Sequence, residues 1–143
     1  MTADAEVVVW HDLECGGYTA DLPLWRELAA EADGSVLDLG AGTGRVALDL
    51  ARRGTDVLAL DRDADLLAAL RARARAEDLD VATLCADARA FDADRRFALC
   101  VVPMQTIQLL GGPEERARCL ECVRAHLVTG GRARRDRFAA EMG

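Results

Sequence analysis

Lysine is absent: all 18 basic residues are arginine. With 25 acidic residues they leave a formal net charge of −7. Such a surface repels phosphate backbones, which argues against a non-specific nucleic-acid binder. Aromatic residues are 4% of the chain, too few for a base-stacking platform. No apolar run approaches the ~20 residues of a membrane helix, so no membrane partner is expected. The stretch Met1–Trp10 has Asp4 and Glu6, no positive region and only a short apolar run. No signal peptide is therefore expected, and the expected compartment is the cytoplasm. The five cysteines are odd in number, irregularly spaced and partly inside apolar runs, which excludes a disulfide framework. The lack of lysine, with heavy Ala and Arg usage, reads as coding bias.

What is present suits one soluble globular domain: 143 residues, 51% hydrophobic, mean hydropathy +0.01. Apolar spacing predicts helices over Ala20–Ala32, Thr43–Arg53, Ala64–Glu77 and Pro113–Leu127. Gly34 and Gly54 are expected to stop the first two, and Asp63 to cap the third. Short apolar runs predict strands at Ser35–Leu39, Asp56–Leu60, Val81–Ala86 and Phe97–Val102. These runs are continuous, not alternating, as in strands covered on both faces. The expected fold is therefore α/β: a Rossmann-like, doubly wound parallel sheet flanked by helices. Ligands in such sheets sit beyond the carboxyl ends of the strands, here after Leu39, Leu60, Ala86 and Val102.

The sharpest motif follows the first strand. Asp38-Leu39-Gly40-Ala41-Gly42-Thr43-Gly44-Arg45 runs from strand to helix with three glycines at every second position. Glycine permits φ > 0 and close backbone approach. The helix N-terminus then offers N–H groups and a positive dipole end to an anionic group. A dinucleotide fingerprint would need its third glycine one position later, where Arg45 stands. About 20 residues on, the second strand ends in Asp61. A carboxylate there can accept from two vicinal ribose hydroxyls, which fits either a nicotinamide dinucleotide or an adenosyl sulfonium.

The D-x-G-x-G-x-G spacing resembles the first motif of class I S-adenosylmethionine-dependent methyltransferases of the small-molecule type. The resemblance implies that Asp38, Gly40, Ala41, Gly42 and Gly44 surround the methionine end of S-adenosylmethionine. It puts Asp61, with Arg62 beside it, at the ribose, and Asp87 and Ala88 at the adenine. Tyr18 is the implied lid residue. Pro103 begins the implied floor near the sulfonium. Gln105, Gln108 and His11 are candidate substrate contacts, with Trp10 near the same mouth. The implied substrate is a small molecule, and completion by a homodimer is an expectation. The main demand on such a protein is alignment, and no residue is named as a general base. The alternatives are a cofactor-binding module without turnover and a nicotinamide-dependent oxidoreductase. Cys119, Cys122 and His126 could share a helix face, but zinc usually needs four ligands, so no metal is expected.

The resemblance covers about Tyr18 to Gly131, within an expected cofactor-binding domain of residues 1–131. The family expects an apolar fifth strand, a helix and an antiparallel strand pair after Thr129-Gly130-Gly131. Residues 132–143 instead form an Arg-rich tail, with four arginines between 132 and 137. The expectation is that the C-terminal strands are missing and that the fourth strand is left as an open edge.

Overall fold

Residues 3–12, 19–103 and 111–135 are described in a computed structural model. The elements in chain order are α1 (Ala3–His11), α2 (Leu22–Ala32), β1 (Val36–Leu39), α3 (Arg45–Arg52) and β2 (Val57–Asp61). They continue with α4 (Ala64–Ala76), β3 (Ala82–Cys85), β4 (Phe97–Val102), α5 (Pro113–Ala125) and β5 (Leu127–Arg135). The strands form one parallel sheet in the order β3-β2-β1-β4-β5. The sheet grows outward from β1 in both directions, so strand order reverses at β1.

Side chains of a strand alternate between faces even when all are apolar. Val36, Val57, Ala59, Leu99 and Val101 therefore pack under α2, α3 and α4, around Trp25, Leu50 and Leu70. Leu37, Leu39, Leu58, Leu60, Cys100 and Val102 face the other way, against Cys119 and Val123 of α5 and against Phe91. Each fully buried leucine contributes about 2 kcal/mol of transfer free energy. This two-sided burial gives β2 and β4 their apolar runs, while β1 carries one buried carboxyl, Asp38.

Local signals place the helices. The Asp63 carboxylate accepts from the N–H groups of Asp65 and Leu66 and caps α4, as the sequence indicates. Gly54 follows α3 with φ +86°. The end of α2 differs from expectation: Asp33, not Gly34, takes the left-handed turn, at φ +47°. Gly34 is needed for closeness instead, because a Cβ there would lie 2.7 Å from the Cβ of Ala98.

Two elements were not expected from the sequence. Helix α1 packs on α4. Strand β5 pairs in parallel with β4, from Phe97↔Leu127 to Val102↔Arg135. The expectation of an open edge at β4 is thereby corrected: strand structure continues past Gly131. Arg132 fits because β5 lies at the sheet edge among the described residues: it is exposed, while Ala133 is buried, 1% exposed, and Leu127 packs against the same core. The pairing shifts register near Leu99, and there a Cβ on Gly131 would meet the Val128 and Phe97 carbonyl oxygens at 2.9 and 3.1 Å. No described helix is long and apolar enough to cross a membrane.

Candidate functional site

The site lies at the carboxyl ends of β1 and β2. Gly40, Gly42 and Gly44 all adopt left-handed backbone, at φ +77°, +58° and +101°. At Gly44 the demand is double, since a Cβ would also lie 2.9 Å from side-chain carbons of Leu48 and Leu70. The loop is stitched to β2: both the Gly40 and Ala41 N–H groups donate to the Leu60 carbonyl, at 2.8 and 2.9 Å.

Asp61 closes this stitch. Its Oδ2 accepts from the Gly42 N–H at 2.9 Å, and its Oδ1 accepts from the Asp63 N–H at 2.9 Å. The amides of Gly40, Ala41 and Gly42 therefore have partners within the chain. The protein's own Leu60 carbonyl and Asp61 carboxylate hold them. Each Asp61 oxygen has two lone-pair positions and one is used, so one acceptor per oxygen remains. Two acceptors on a half-buried carboxylate match the two hydroxyls of a ribose. This geometry fits an adenosyl group.

Asp38 lies under the same loop, 0% exposed, and neither of its oxygens has a hydrogen-bond partner. Burial pushes its carboxyl up to about 7; the Arg45 charge opposes this and the Asp61 charge adds to it. Arg45, at the start of α3, reaches Asp21 before α2 with two hydrogen bonds, at 2.5 and 2.9 Å. The Trp25 indole N–H donates to the same carboxylate at 2.7 Å. Burial would raise the Asp21 pKa, but the Arg45 and Trp25 hydrogen bonds outweigh it and hold the carboxyl below its usual range.

At the end of β3, Asp87 is half-buried and Ala88 is buried, 9% exposed. Arg89 grips Asp87 through its backbone N–H, Nε and Nη2. That grip holds the Asp87 carboxyl far below the ordinary range. Pro103 is buried immediately after β4. Arg62 is exposed, and its carbonyl accepts the Cys85 thiol at 3.5 Å. Tyr18, Gln105 and Gln108 lie outside the described residues, as does the side chain of His11. Trp10 is 63% exposed, whereas Trp25 is fully buried.

Sequence reasoning missed Asp12 and Arg89. Asp12 joins α1 to the site: it accepts from the Thr43 hydroxyl at 3.0 Å and pairs with Arg73 of α4 at 2.7 Å. A lone Asp at a helix end gives no signal of that reach. Arg89 could have been flagged by its i+2 spacing from Asp87. The Cys122–His126 segment serves structure. The Ala93 N–H donates to His126 Nε2, and the Phe91 N–H donates to Cys122 Sγ.

A parallel sheet reversing at β1, with a glycine turn and acidic strand ends, defines a nucleotide-binding α/β domain of Rossmann-like class. The chain belongs to the methyltransferase domain family, whose model matches residues 36–131. It is 33% identical over 115 residues to the cypemycin N-terminal methyltransferase of a Streptomyces species, covering 80% of this chain and 46% of that protein. It is 30% identical to the glycopeptide N-methyltransferase MtfA, crystallised with S-adenosyl-L-methionine, with a TM-score of 0.72 over 83% of this chain and 55% of that one. A Clostridium acetobutylicum S-adenosylmethionine-dependent methyltransferase shares the fold, with a TM-score of 0.76 at 19% identity over 92% of this chain and 56% of that one. The chain thus spans about half the length of these relatives. They indicate S-adenosylmethionine as the cofactor, and the nicotinamide alternative is set aside.

Proposed function

We propose that this chain holds S-adenosylmethionine at the β1–β2 strand ends and directs its methyl group to an amine nitrogen of a small molecule or peptide. The carrying observation is the Asp61 carboxylate, fixed by Gly42 and Asp63 with one acceptor position left on each oxygen. The amine acceptor is supported by the names of two relatives of 30% identity or more, an N-terminal methyltransferase and a glycopeptide N-methyltransferase.

When bound, the cofactor supplies an activated methyl group for in-line displacement. The chain's residues do the rest. Asp61 takes the ribose hydroxyls, and the Gly40–Gly44 turn lies along the methionine end. Asp87 and Ala88 take the adenine. Pro103 lies near the sulfonium, Gln105, Gln108 and His11 contact the substrate, and Tyr18 is the lid residue. A neutral amine is already a nucleophile, so orientation and exclusion of water are the main requirements.

Titration calorimetry with S-adenosylmethionine and with NAD tests the reading. Binding of the sulfonium alone supports it, and tighter binding of NAD overturns it. Transfer of a labelled methyl group separates an enzyme from a binding module.

A further inference from the structure

Asp87 does not stand alone at the end of β3. Its Oδ1 accepts twice, from the Arg89 backbone N–H at 2.8 Å and from Arg89 Nε at 2.9 Å. Its Oδ2 accepts once, from Arg89 Nη2 at 2.6 Å. A carboxylate offers about four lone-pair positions. Oδ1 is therefore full, and one position on Oδ2 is open. The guanidinium is itself braced, because Nη1 donates to Glu115 in the first turn of α5 at 3.0 Å. A fork held at both ends fixes the rotamer of Asp87, which an aspartate on a turn would not keep unaided.

We propose that Arg89 is the positioning residue for the purine end of the site: braced by Glu115, it presents a single acceptor, on Asp87 Oδ2, to the exocyclic amino group of the base. The inference rests on the methyltransferase reading. Arg89 acts through Asp87, so its signature is discrimination between bases, not affinity alone.

The probes are S-adenosylhomocysteine and S-inosylhomocysteine, which carries a 6-oxo group in place of the amino donor. Calorimetry on the wild-type chain is expected to favour the adenosyl compound by about tenfold or more, since the oxo analogue sets an acceptor against the open acceptor position of Oδ2 in place of a donor. Arg89→Ala is expected to bring that ratio close to one, Arg89→Lys to restore part of it, and Glu115→Gln to lower it less. Unchanged ratios with uniformly weaker binding would mean a purely structural role and overturn the inference. A ratio that rises in Arg89→Ala would make the arginine a competitor of the base and overturn it equally. Wild-type binding of both probes with equal affinity also sinks it, while the methyltransferase reading survives. Wild-type protein that binds neither probe sinks both. Thermal melts identify any unfolded variant. Glu115→Gln, which keeps the size of a partly buried side chain in the first turn of α5, keeps the test open if Arg89→Ala does not fold.

Discussion

Arg45 and Asp21 form a bidentate ion pair inside the fold, their side chains 7% and 6% exposed. The pair joins the residue before α2 to the first residue after the glycine turn. Removing one partner of a buried pair costs about 3–5 kcal/mol, because the other charge is stranded. Asp21→Ala is therefore expected to lower the Tm by about 10 °C. The double variant Asp21→Leu with Arg45→Met should recover much of the loss in the same melt. Asp21 has a lowered pKa, so the wild-type pair's contribution is present above the ordinary carboxylate range and fades as pH falls through the folded value.

Asp61→Asn should be almost as damaging to cofactor affinity as Asp61→Ala. Both carboxylate oxygens already accept a backbone N–H, so an amide NH2 would face a donor in either orientation. The expected loss in calorimetric affinity for S-adenosylmethionine is about a hundredfold for each, from a displaced loop and lost ribose contacts. Full affinity in the Asn variant would remove Asp61 from the site.

Asp38 makes stability depend on pH in the unusual direction. Its folded-state pKa is raised from 3.8 to about 7, so the folded protein binds this proton more tightly than the unfolded chain. Stability is therefore favoured at low pH and declines as pH rises from about 4 through about 7. Asp38→Asn is expected to flatten this slope. The Tm difference between variant and wild type should grow by several degrees across that window and level off above it.

Gly44 and Gly54 form a matched pair of tests. Both sit at positive φ, +101° and +86°, but only Gly44 is crowded. Gly54→Ala should cost about 1 kcal/mol from the left-handed backbone alone. Gly44→Ala should cost about 2–3 kcal/mol, from the same strain plus contact with Leu48 and Leu70. Denaturant midpoints would show whether the two costs differ.

The sheet was legible because its strands are buried on both faces, which writes unbroken apolar runs such as Val57–Leu60 into the chain. The glycine turn and the cap at Asp63 were legible because few residues meet those backbone demands. Strand β5 was not, because an edge strand can set an exposed Arg132 beside a buried Ala133, which leaves no apolar run in the sequence. Helix α1 was hidden for a related reason: Val7, Val9 and Trp10 remain exposed, so no apolar stripe marks its face. Arg45 was read only as a departure from the dinucleotide pattern. Its buried partner Asp21 lies 24 residues away, and spacing along the chain does not announce such a meeting. The acceptor role of Asp61 was expected, but its capture of the Gly42 amide depends on how β2 pairs with β1.

The Leu60 carbonyl, shared by the amides of Gly40 and Ala41, welds the turn to the neighbouring strand. The Asp61 carboxylate, which accepts from Gly42, and the glycine turn therefore move as one body and inherit their rigidity from the middle of the sheet.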